Sequence, residues 1–224
     1  MQEEDIEFLE FCVRQGALKF GSFTLKSGRS SPYFFNAGAF STGYATSMLS
    51  KFFAKKIANT LQPQSYDVVF GPAYKGIPLA VGTCSALYSE HQIGKEWCFN
   101  RKEAKTHGDA GVFVGAKIVD GVGVVMLDDV FTTGGAKEEA IEQLSSVAKV
   151  RLLGVFIMLD RMEKNEQGEN AIAAFEKKHG TKVYSLASAN GMFEALRGRK
   201  INGGVPVDEK VYAQFVEYRK KYGI

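Results

Sequence analysis

The stretch that decides the fold of this chain reads Val124-Val-Met-Leu-Asp-Asp-Val-Phe-Thr-Thr-Gly-Gly-Ala136. Its first four residues are apolar, which predicts a strand buried on both faces of a parallel sheet. After Ala136, apolar residues recur at the spacing of one helix face, which predicts a helix. The loop between them therefore ends at a helix N-terminus, where unpaired N–H groups and nearby glycines suit a phosphate.

Asp128 and Asp129 make this phosphate site unusual, because carboxylates would repel a bare phosphate. Carboxylates accept hydrogen bonds from sugar hydroxyls, help to hold hydrated Mg2+ and stabilise positive charge that develops during a reaction. Phosphoribosyl pyrophosphate (PRPP) combines a phosphate, vicinal hydroxyls and a metal-bound leaving group, so it meets all these demands. The alternative is an aspartate pair that merely ends a strand before an ordinary turn. The strand before the pair and the helix after it disfavour that alternative.

Length and composition limit the classes of protein to which the chain can belong. The 224 residues predict a single α/β domain with additions. The chain has no run of about 20 apolar residues and its start lacks the features of a signal peptide, which predicts a cytosolic protein without a membrane span. Three widely spaced cysteines argue against a disulfide framework or a zinc site. The net charge of +3 gives little support for nucleic-acid binding.

Strands and helices alternate from about residue 67 onward, which predicts a mostly parallel sheet flanked by helices. The predicted strands are Asp67–Phe70, Trp97–Asn100, Val124–Leu127, Leu152–Leu159 and Lys182–Leu186, and the predicted helices are Ile77–Tyr88, Ala136–Ala148 and Ala171–Lys178. Ligands of such sheets bind beyond the carboxyl ends of the strands. The residues that we expect at those ends are Lys75, Arg101, Asp128, Asp129 and Arg161.

The remaining segments predict additions to this core. Residues 1–65 are expected to form an N-terminal hood with a helix near Glu4–Gln15, and aromatic segments follow it near Phe20–Leu25 and Tyr33–Asn36. Residues 66–190 form the α/β core and residues 191–224 a C-terminal segment. Within that segment Asp208–Tyr222 predicts an amphipathic helix that packs on the hood.

Two further segments have the chemistry of anion sites. Gly71–Gly76 follows a predicted strand and offers Lys75 beside backbone N–H groups, although a tight turn with a surface lysine fits as well. The segment Asn100–Gly108 predicts a mobile basic loop that closes over a polyphosphate; a solvated charged loop and a nucleic-acid contact are the alternatives. The four potential cations of that segment are Arg101, Lys102, Lys105 and His107.

An acceptor site is indicated by Lys26, Phe34 and Phe35, which suit a flat anionic heterocycle, although paired phenylalanines are usually core residues. Arg161 follows an apolar strand and can bind a planar carboxylate or carbonyl, or form a structural ion pair with Asp160. The chain lacks the P-loop motif, and its Gly-Val-Gly precedes a strand, unlike a dinucleotide fingerprint.

Taken together, these segments resemble the type I phosphoribosyltransferases and, more closely, the orotate phosphoribosyltransferase family. The orotate-specific parts of the resemblance are Phe23–Arg29 with Ser31–Phe35, Gly71–Gly76, Phe99–Lys105 with His107-Gly108, and Leu159–Arg161. The resemblance implies the type I phosphoribosyltransferase fold, with a hood over an α/β core. It also implies Mg2+-dependent transfer of phosphoribose from PRPP to orotate, giving orotidine 5'-monophosphate and pyrophosphate in pyrimidine biosynthesis. A cytoplasmic homodimer with shared active sites is implied as well.

The resemblance assigns a role to each site residue. PRPP would be bound by Lys26, Tyr74, Lys75, Arg101, Lys102, Lys105, His107, Asp128, Asp129, Val130, Phe131, Thr132, Thr133, Gly134, Gly135 and Ala136, and orotate by Lys26, Phe34, Phe35, Thr132 and Arg161. The catalytic residues would be Lys105, His107, Asp128 and Asp129. Mg2+ would be held mainly by PRPP and water near the aspartate pair, without a direct protein cage.

One departure from the family pattern concerns the phosphate loop. Family members often read Thr-Ala-Gly-Thr where this chain has Thr132-Thr133-Gly134-Gly135. Gly135 has no hydroxyl to offer the phosphate, so the Thr133 hydroxyl or backbone N–H groups would take its place. Two functional alternatives stay open: a phosphoribosyltransferase for another base, and a non-catalytic PRPP sensor that regulates transcription.

Overall fold

The computed structural model describes residues 3–25, 28–105, 111–131, 134–165 and 167–224, which form seven α-helices and eight strands. The helices are α1 (Glu3–Arg14), α2 (Gly43–Thr60), α3 (Gly76–His91), α4 (Gly135–Val147), α5 (Ala171–His179), α6 (Ala189–Leu196) and α7 (Glu209–Tyr222). The strands are β1 (Leu18–Thr24), β2 (Ser30–Phe35), β3 (Val68–Phe70), β4 (Glu96–Lys105), β5 (Gly111–Gly115), β6 (Gly123–Val130), β7 (Arg151–Asp160) and β8 (Val183–Ser188). Within these ranges, no helix combines the length and apolar character that a membrane span requires.

Six strands form the central sheet in the order β5-β4-β3-β6-β7-β8. All are parallel to their neighbours except β5, which runs antiparallel to β4 at one edge. Phe70 of β3 lies beside Cys98 of β4 on one side and Met126 of β6 on the other. Strands β4 and β5 follow β3 in the chain and extend the sheet on one side, whereas β7 and β8 follow β6 and extend it on the other side. The boundary between β3 and β6 is therefore the topological switch point. The predicted α/β fold class is confirmed.

The core has two layers because successive side chains of a strand point to opposite faces. Val125 and Leu127 of β6 belong to the larger hydrophobic cluster, which includes residues of α1, α2, α3 and α6. Val124 and Met126 belong to the smaller cluster, which includes residues of α4 and α5. Burial on both faces explains why β6 reads as a continuous apolar run.

The hairpin of β1 and β2 is antiparallel and separate from the central sheet. Helix α7 lies against β2. Aromatic rings connect these segments: Phe193 of α6 stacks on Phe215 of α7 at 3.7 Å between ring centroids and meets Phe20 of β1 edge-on at 5.4 Å. The hairpin and the C-terminal helices therefore pack as one layer. The division into hood, core and C-terminal segment stays a prediction.

Helices α2 and α6 were not predicted from the sequence. Helix α2 begins after Thr42, whose side chain accepts a hydrogen bond from Ala45 N at 3.1 Å. Its buried face includes Leu49, Phe53 and Ile57, four residues apart, which is a helical pattern that the sequence already contained.

The prediction that a loop begins at Asn100 is wrong for residues 101–105. Strand β4 continues to Lys105 and pairs with β5, although the register shifts between Asn100 and Lys105. Lys and Glu are weak strand formers, so local sequence gave no sign of this pairing. Arg101, Lys102 and Lys105 therefore lie on the C-terminal half of β4, which pairs with β5. We call this end of the β4–β5 hairpin the basic arm.

Candidate active site

A cleft of about 270 Å³ lies beyond the carboxyl ends of β3 and β6, at the switch point of the sheet. It brings together the loop that follows β3, the carboxylates that end β6 and the first turn of α4. The residues that line it are Pro72, Ala73, Tyr74, Lys75, Asp128, Asp129, Val130, Gly134, Gly135, Ala136 and Lys137. Most of the PRPP residues predicted from sequence for these segments therefore share one cleft.

The loop from Gly71 to Gly76 is held close to the sheet. Gly71 N donates to Cys98 O of β4 at 2.9 Å. A Cβ atom on Gly71 would lie 2.0 Å from Gly76 O, so this close approach requires glycine. The side chains of Tyr74 and Lys75 are both largely exposed at the cleft. The loop thus presents an ammonium group to the cleft from a fixed backbone.

The two carboxylates differ in environment. Asp128 is buried, and its Oδ1 accepts from Asp129 N at 2.9 Å while its Oδ2 pairs with Lys137 Nζ. Asp129 Oδ1 accepts from Val130 N at 2.8 Å, and its Oδ2 pairs with the exposed Lys75 Nζ at 2.6 Å across the cleft. An exposed ion pair is weak, so Asp129 is the carboxylate that can exchange its partner for a ligand hydroxyl.

Lys137 is a site residue that was not predicted from the sequence. Its side chain is 4% exposed, and its Nζ contacts Asp128 and donates to Val130 O at 2.9 Å. A lysine in the first turn of a helix is usually solvated. The available signal was its spacing from Ala140 and Leu144, which places it on the buried face of α4.

The helix N-terminus beside the carboxylates has the geometry of an anion site. Gly134 adopts φ +83° and its carbonyl accepts from the N–H groups of Lys137 and Glu138, both at 2.9 Å. The earlier N–H groups of α4 have no acceptor within the helix, and Gly135 and Ala136 line the cleft. Thr132 and Thr133 lie outside the described residues. The backbone at the start of α4 can thus receive a phosphate.

Val130 and Phe131 contribute to this region in different ways. Val130 lines the cleft, and its carbonyl holds Lys137. The side chain of Phe131 is buried and meets Phe175 of α5 edge-on at 5.2 Å between ring centroids. Phe131 therefore supports the loop from the core and does not face the cleft.

The described basic residues of β4 do not line the cleft. Lys102 Nζ lies 3.7 Å from Glu139 Oε2 of α4, and Arg101 precedes it on β4. Neither is among the described residues that line the cleft. The side chain of Lys105 and the whole of His107 lie outside the described part of the chain. Their roles stay predictions.

The predicted acceptor residues lie on the hairpin and after β7. Phe34 is exposed and stacks on Phe23 at 5.7 Å, whereas Phe35 packs against the larger hydrophobic cluster. Adjacent residues of a strand point to opposite faces, so the two rings cannot stack on one base. Phe34 is the ring that remains accessible to a ligand. Lys26 is outside the described residues.

Arg161 is held in place by a network. Its Nε donates to Glu163 Oε1 at 2.8 Å, Tyr218 OH donates to the same oxygen at 2.8 Å, and the guanidinium lies 4.5 Å from the ring centre of Tyr33. Burial opposes the charge of Arg161, but Tyr33 and Glu163 outweigh it, so its pKa lies above the ordinary value. Arg161 is therefore a fixed, permanently charged donor beside the hairpin.

This fold and cleft define a phosphoribosyltransferase. Residues 40–186 match the family model of the phosphoribosyl transferase domain. That range includes the loop after β3, the aspartate pair and the start of α4, so the matched region contains the whole cleft.

Comparison of the full chain with known proteins narrows the class from phosphoribosyltransferases in general to one family. The chain is 44% identical over 225 residues to an orotate phosphoribosyltransferase of Bifidobacterium adolescentis, which covers 98% of this chain and 97% of the relative. It is 40% identical over 224 residues to one of Clostridium acetobutylicum, with 100% of both chains covered. A crystal structure of orotate phosphoribosyltransferase from Francisella tularensis aligns with a TM-score of 0.83 at 36% identity, covering 97% of this chain and 100% of that one. The chain belongs to the orotate phosphoribosyltransferase family.

Proposed function

We propose that this chain catalyses the Mg2+-dependent transfer of the 5-phosphoribosyl group from PRPP to orotate, giving orotidine 5'-monophosphate and pyrophosphate in the synthesis of pyrimidine nucleotides. The observation that carries the proposal is the cleft at the switch point. It combines a helix N-terminus, a carboxylate pair and a cationic loop within one space of about 270 Å³. These three groups match the phosphate, the diol and the pyrophosphate of PRPP.

The proposed roles follow the geometry of the cleft. The start of α4 binds the 5'-phosphate through backbone N–H groups, together with the loop residues Thr132 and Thr133. Asp129 accepts hydrogen bonds from the ribose hydroxyls once Lys75 leaves it, and Asp128 fixes the backbone of Asp129. Lys75 then interacts with the pyrophosphate as a point charge.

The reaction requires no side-chain nucleophile. Positive charge develops on the ribose ring as the bond to pyrophosphate breaks, and the aspartate pair stabilises it. Negative charge develops on the departing pyrophosphate, where Lys75 and the basic arm stabilise it. Arg101, Lys102, Lys105 and His107 would supply the charges of that arm.

The donor set of the cleft fits Mg2+ held largely by the substrate. Mg2+ in such sites is typically bound through one or two carboxylates, substrate phosphates and water. The described residues contain no cluster of three or more His, Cys, Asp or Glu side chains that could hold a metal ion alone. Asp129 would be the protein carboxylate nearest to the ion, because its partner Lys75 is exposed and can be exchanged, whereas Asp128 is held by the buried Lys137. When bound, Mg2+ would neutralise charge on the pyrophosphate.

Orotate would be held on the hairpin side of the cleft. Phe34 offers an exposed ring, Arg161 offers a fixed cation for the carboxylate, and Lys26 would lie where both substrates meet. The family resemblance also implies Thr132 and Phe35, of which Phe35 would act from the core side because its ring packs against the larger hydrophobic cluster.

The decisive experiment mixes the protein with Mg2+, PRPP and one base at a time, and follows the absorbance of the base. We expect orotate to be consumed and orotidine 5'-monophosphate to appear, with uracil and the purines unchanged. Consumption of another base would assign a different acceptor, and PRPP binding without turnover would indicate a sensor. Either result would overturn the proposal.

We also propose that the protein is a cytoplasmic homodimer whose basic arm enters the partner's site. The exposed side chains of Val81 and Tyr88, seven residues apart on α3, offer apolar surface for such an interface. Light scattering should give twice the mass of the chain. If the arm is shared, mixing inactive Lys105→Ala and Arg161→Ala subunits should restore about a quarter of the activity, because half of the dimers then contain one intact site. A monomer, or no restored activity, would contradict this arrangement.

A further inference from the structure

Asn100 lies where three elements around the cleft meet. The residue is 3% exposed. In the pairing of β4 with β5, Asn100 opposite Phe113 is the last regular pair before the register shifts. Asn100 thus marks the boundary between the base of the hairpin and the arm that carries Arg101 and Lys102.

The side-chain amide of Asn100 bonds to two other elements. Its Oδ1 accepts from Ala73 N in the loop after β3 at 2.8 Å, and its Nδ2 donates to Gln143 Oε1 of α4 at 2.7 Å. The orientation of the amide is determined by chemistry, because a backbone N–H can only donate and must face the carbonyl oxygen. The nitrogen must then face Gln143, which must present its own oxygen.

Ala73 directly precedes Tyr74 and Lys75, the two residues that face the proposed pyrophosphate position. The bond to Asn100 therefore fixes the backbone from which the cation of Lys75 extends. Gln143 lies on the helix whose N-terminus forms the proposed phosphate site. One buried amide connects the loop, the arm and the helix that would bind the two anionic ends of PRPP.

We propose that Asn100 is a positioning residue for the pyrophosphate end of PRPP, acting through Ala73 and held in orientation by Gln143. The inference deepens the proposed function and rests on it. Asn100 does not itself line the cleft among the described residues, so its effect passes through the loop backbone. Orotate binding would depend on Phe34 and Arg161, which contact Phe23 and Glu163 and not Asn100 or Ala73, so it should be unaffected.

The test compares four variants by steady-state kinetics and by calorimetric titration with Mg-pyrophosphate. Asn100→Ala removes both hydrogen bonds. Gln143→Leu removes only the acceptor for Asn100, and Gln143→Glu is its matched control because it keeps that acceptor with nearly the same shape. The double variant Asn100→Ala/Gln143→Leu tests whether the two residues act as one unit.

We expect Asn100→Ala to raise the KM for PRPP and the Kd for pyrophosphate about tenfold, as for the loss of one hydrogen bond to a fixed backbone. Gln143→Leu should raise both about threefold, and Gln143→Glu should match the unmodified protein within about twofold. The KM for orotate should change by less than about twofold in all variants, and the double variant should resemble Asn100→Ala.

Three results would overturn the inference: equal increases in KM for PRPP and orotate, unchanged pyrophosphate affinity, or additive effects in the double variant. If Asn100→Ala does not fold, the comparison of Gln143→Leu with Gln143→Glu tests the proposal. Equal affinity of these two variants for pyrophosphate would contradict it. The titration needs no turnover. Failure of the proposed function would appear as an unmodified protein that binds pyrophosphate but leaves orotate unconsumed, which is distinct from failure of this inference.

Discussion

Two lysines pair with the two aspartates of the cleft, but their environments are opposite. The side chain of Lys75 is 63% exposed and meets Asp129 across the cleft, whereas Lys137 is buried against Asp128. Surface ion pairs contribute about 0–1 kcal/mol, but removal of one partner from a buried pair typically costs about 3–5 kcal/mol. Substitution of Lys137 should therefore mainly lower stability, whereas substitution of Lys75 should mainly weaken ligand binding.

We expect Lys137→Met to lower the free energy of unfolding by about 3–5 kcal/mol, because it leaves the carboxylate of Asp128 buried without its cation. Its matched control, Lys75→Met, should lower it by less than about 1 kcal/mol while weakening pyrophosphate binding. Urea unfolding followed by circular dichroism measures the first effect, and calorimetric titration measures the second.

A double variant checks the cause of this loss. Asp128→Asn combined with Lys137→Met removes both charges of the buried pair, so no unpaired charge stays buried. The double variant should therefore recover part of the stability lost by Lys137→Met. Turnover should not recover with it, since the aspartate pair is then incomplete. A Lys137→Met protein as stable as the unmodified chain would show that the pair does not hold the end of β6.

At the scale of elements, Gly134 and Gly121 offer a natural comparison. Both have left-handed backbone, at φ +83° and +82°, but Gly134 caps the N-terminus of α4 at the cleft, whereas Gly121 lies in the turn before β6, at the opposite end of that strand. An added Cβ would meet Phe131 Cζ at 3.1 Å at Gly134 and nothing within 4 Å at Gly121. Of the two glycines, Gly134 alone is among the described residues that line the cleft, so only its substitution should affect the proposed phosphate site.

We expect alanine at Gly121 to lower the free energy of unfolding by about 1–2 kcal/mol, the usual cost of left-handed backbone for a residue with a Cβ, and alanine at Gly134 to lower it by more, because Phe131 must also move. Gly134→Ala should in addition weaken binding of orotidine 5'-monophosphate, because the first N–H groups of α4 move away from the phosphate. Gly121→Ala should bind it normally. Titration of both variants with this nucleotide measures the difference, and equal affinities would argue against a phosphate site at α4.

Much of the core could be predicted from sequence because its central strands β3, β6 and β7 bury continuous apolar runs. The apolar run Val124–Leu127 predicted the position of β6, and therefore that Asp128 and Asp129 lie at its carboxyl end. The arm of β4 could not be predicted, since its strand character depends on pairing with β5. The hydrogen bonds of Asn100 were equally hidden, because Ala73 and Gln143 lie 27 and 43 residues away along the chain.

At the scale of the whole molecule, both faces of the sheet bury ionisable groups that are neutral near pH 7. Burial raises the pKa of Cys84, in the larger cluster, and of Cys98, in the smaller one, from 9.0 to about 12. Burial also raises the pKa of Tyr66 from 10.0 to about 12. In the unfolded chain these groups lose their protons from about pH 9, whereas the folded chain keeps them, so the unfolded state binds fewer protons and stability falls as pH rises.

We therefore expect the free energy of unfolding to be nearly constant between pH 7 and 8 and to fall as pH rises from about 9 toward 12. Each group that is ionised only in the unfolded state contributes a slope of about 1.4 kcal/mol per pH unit. Urea unfolding followed by circular dichroism at a series of pH values measures this slope. Cys84→Ala and Cys98→Ala should each reduce it by about one group's share, even though both variants lose some packing at every pH. A profile that stays flat from pH 9 to 11, or slopes that the two substitutions leave unchanged, would contradict the expectation that these thiols remain protonated in the folded core.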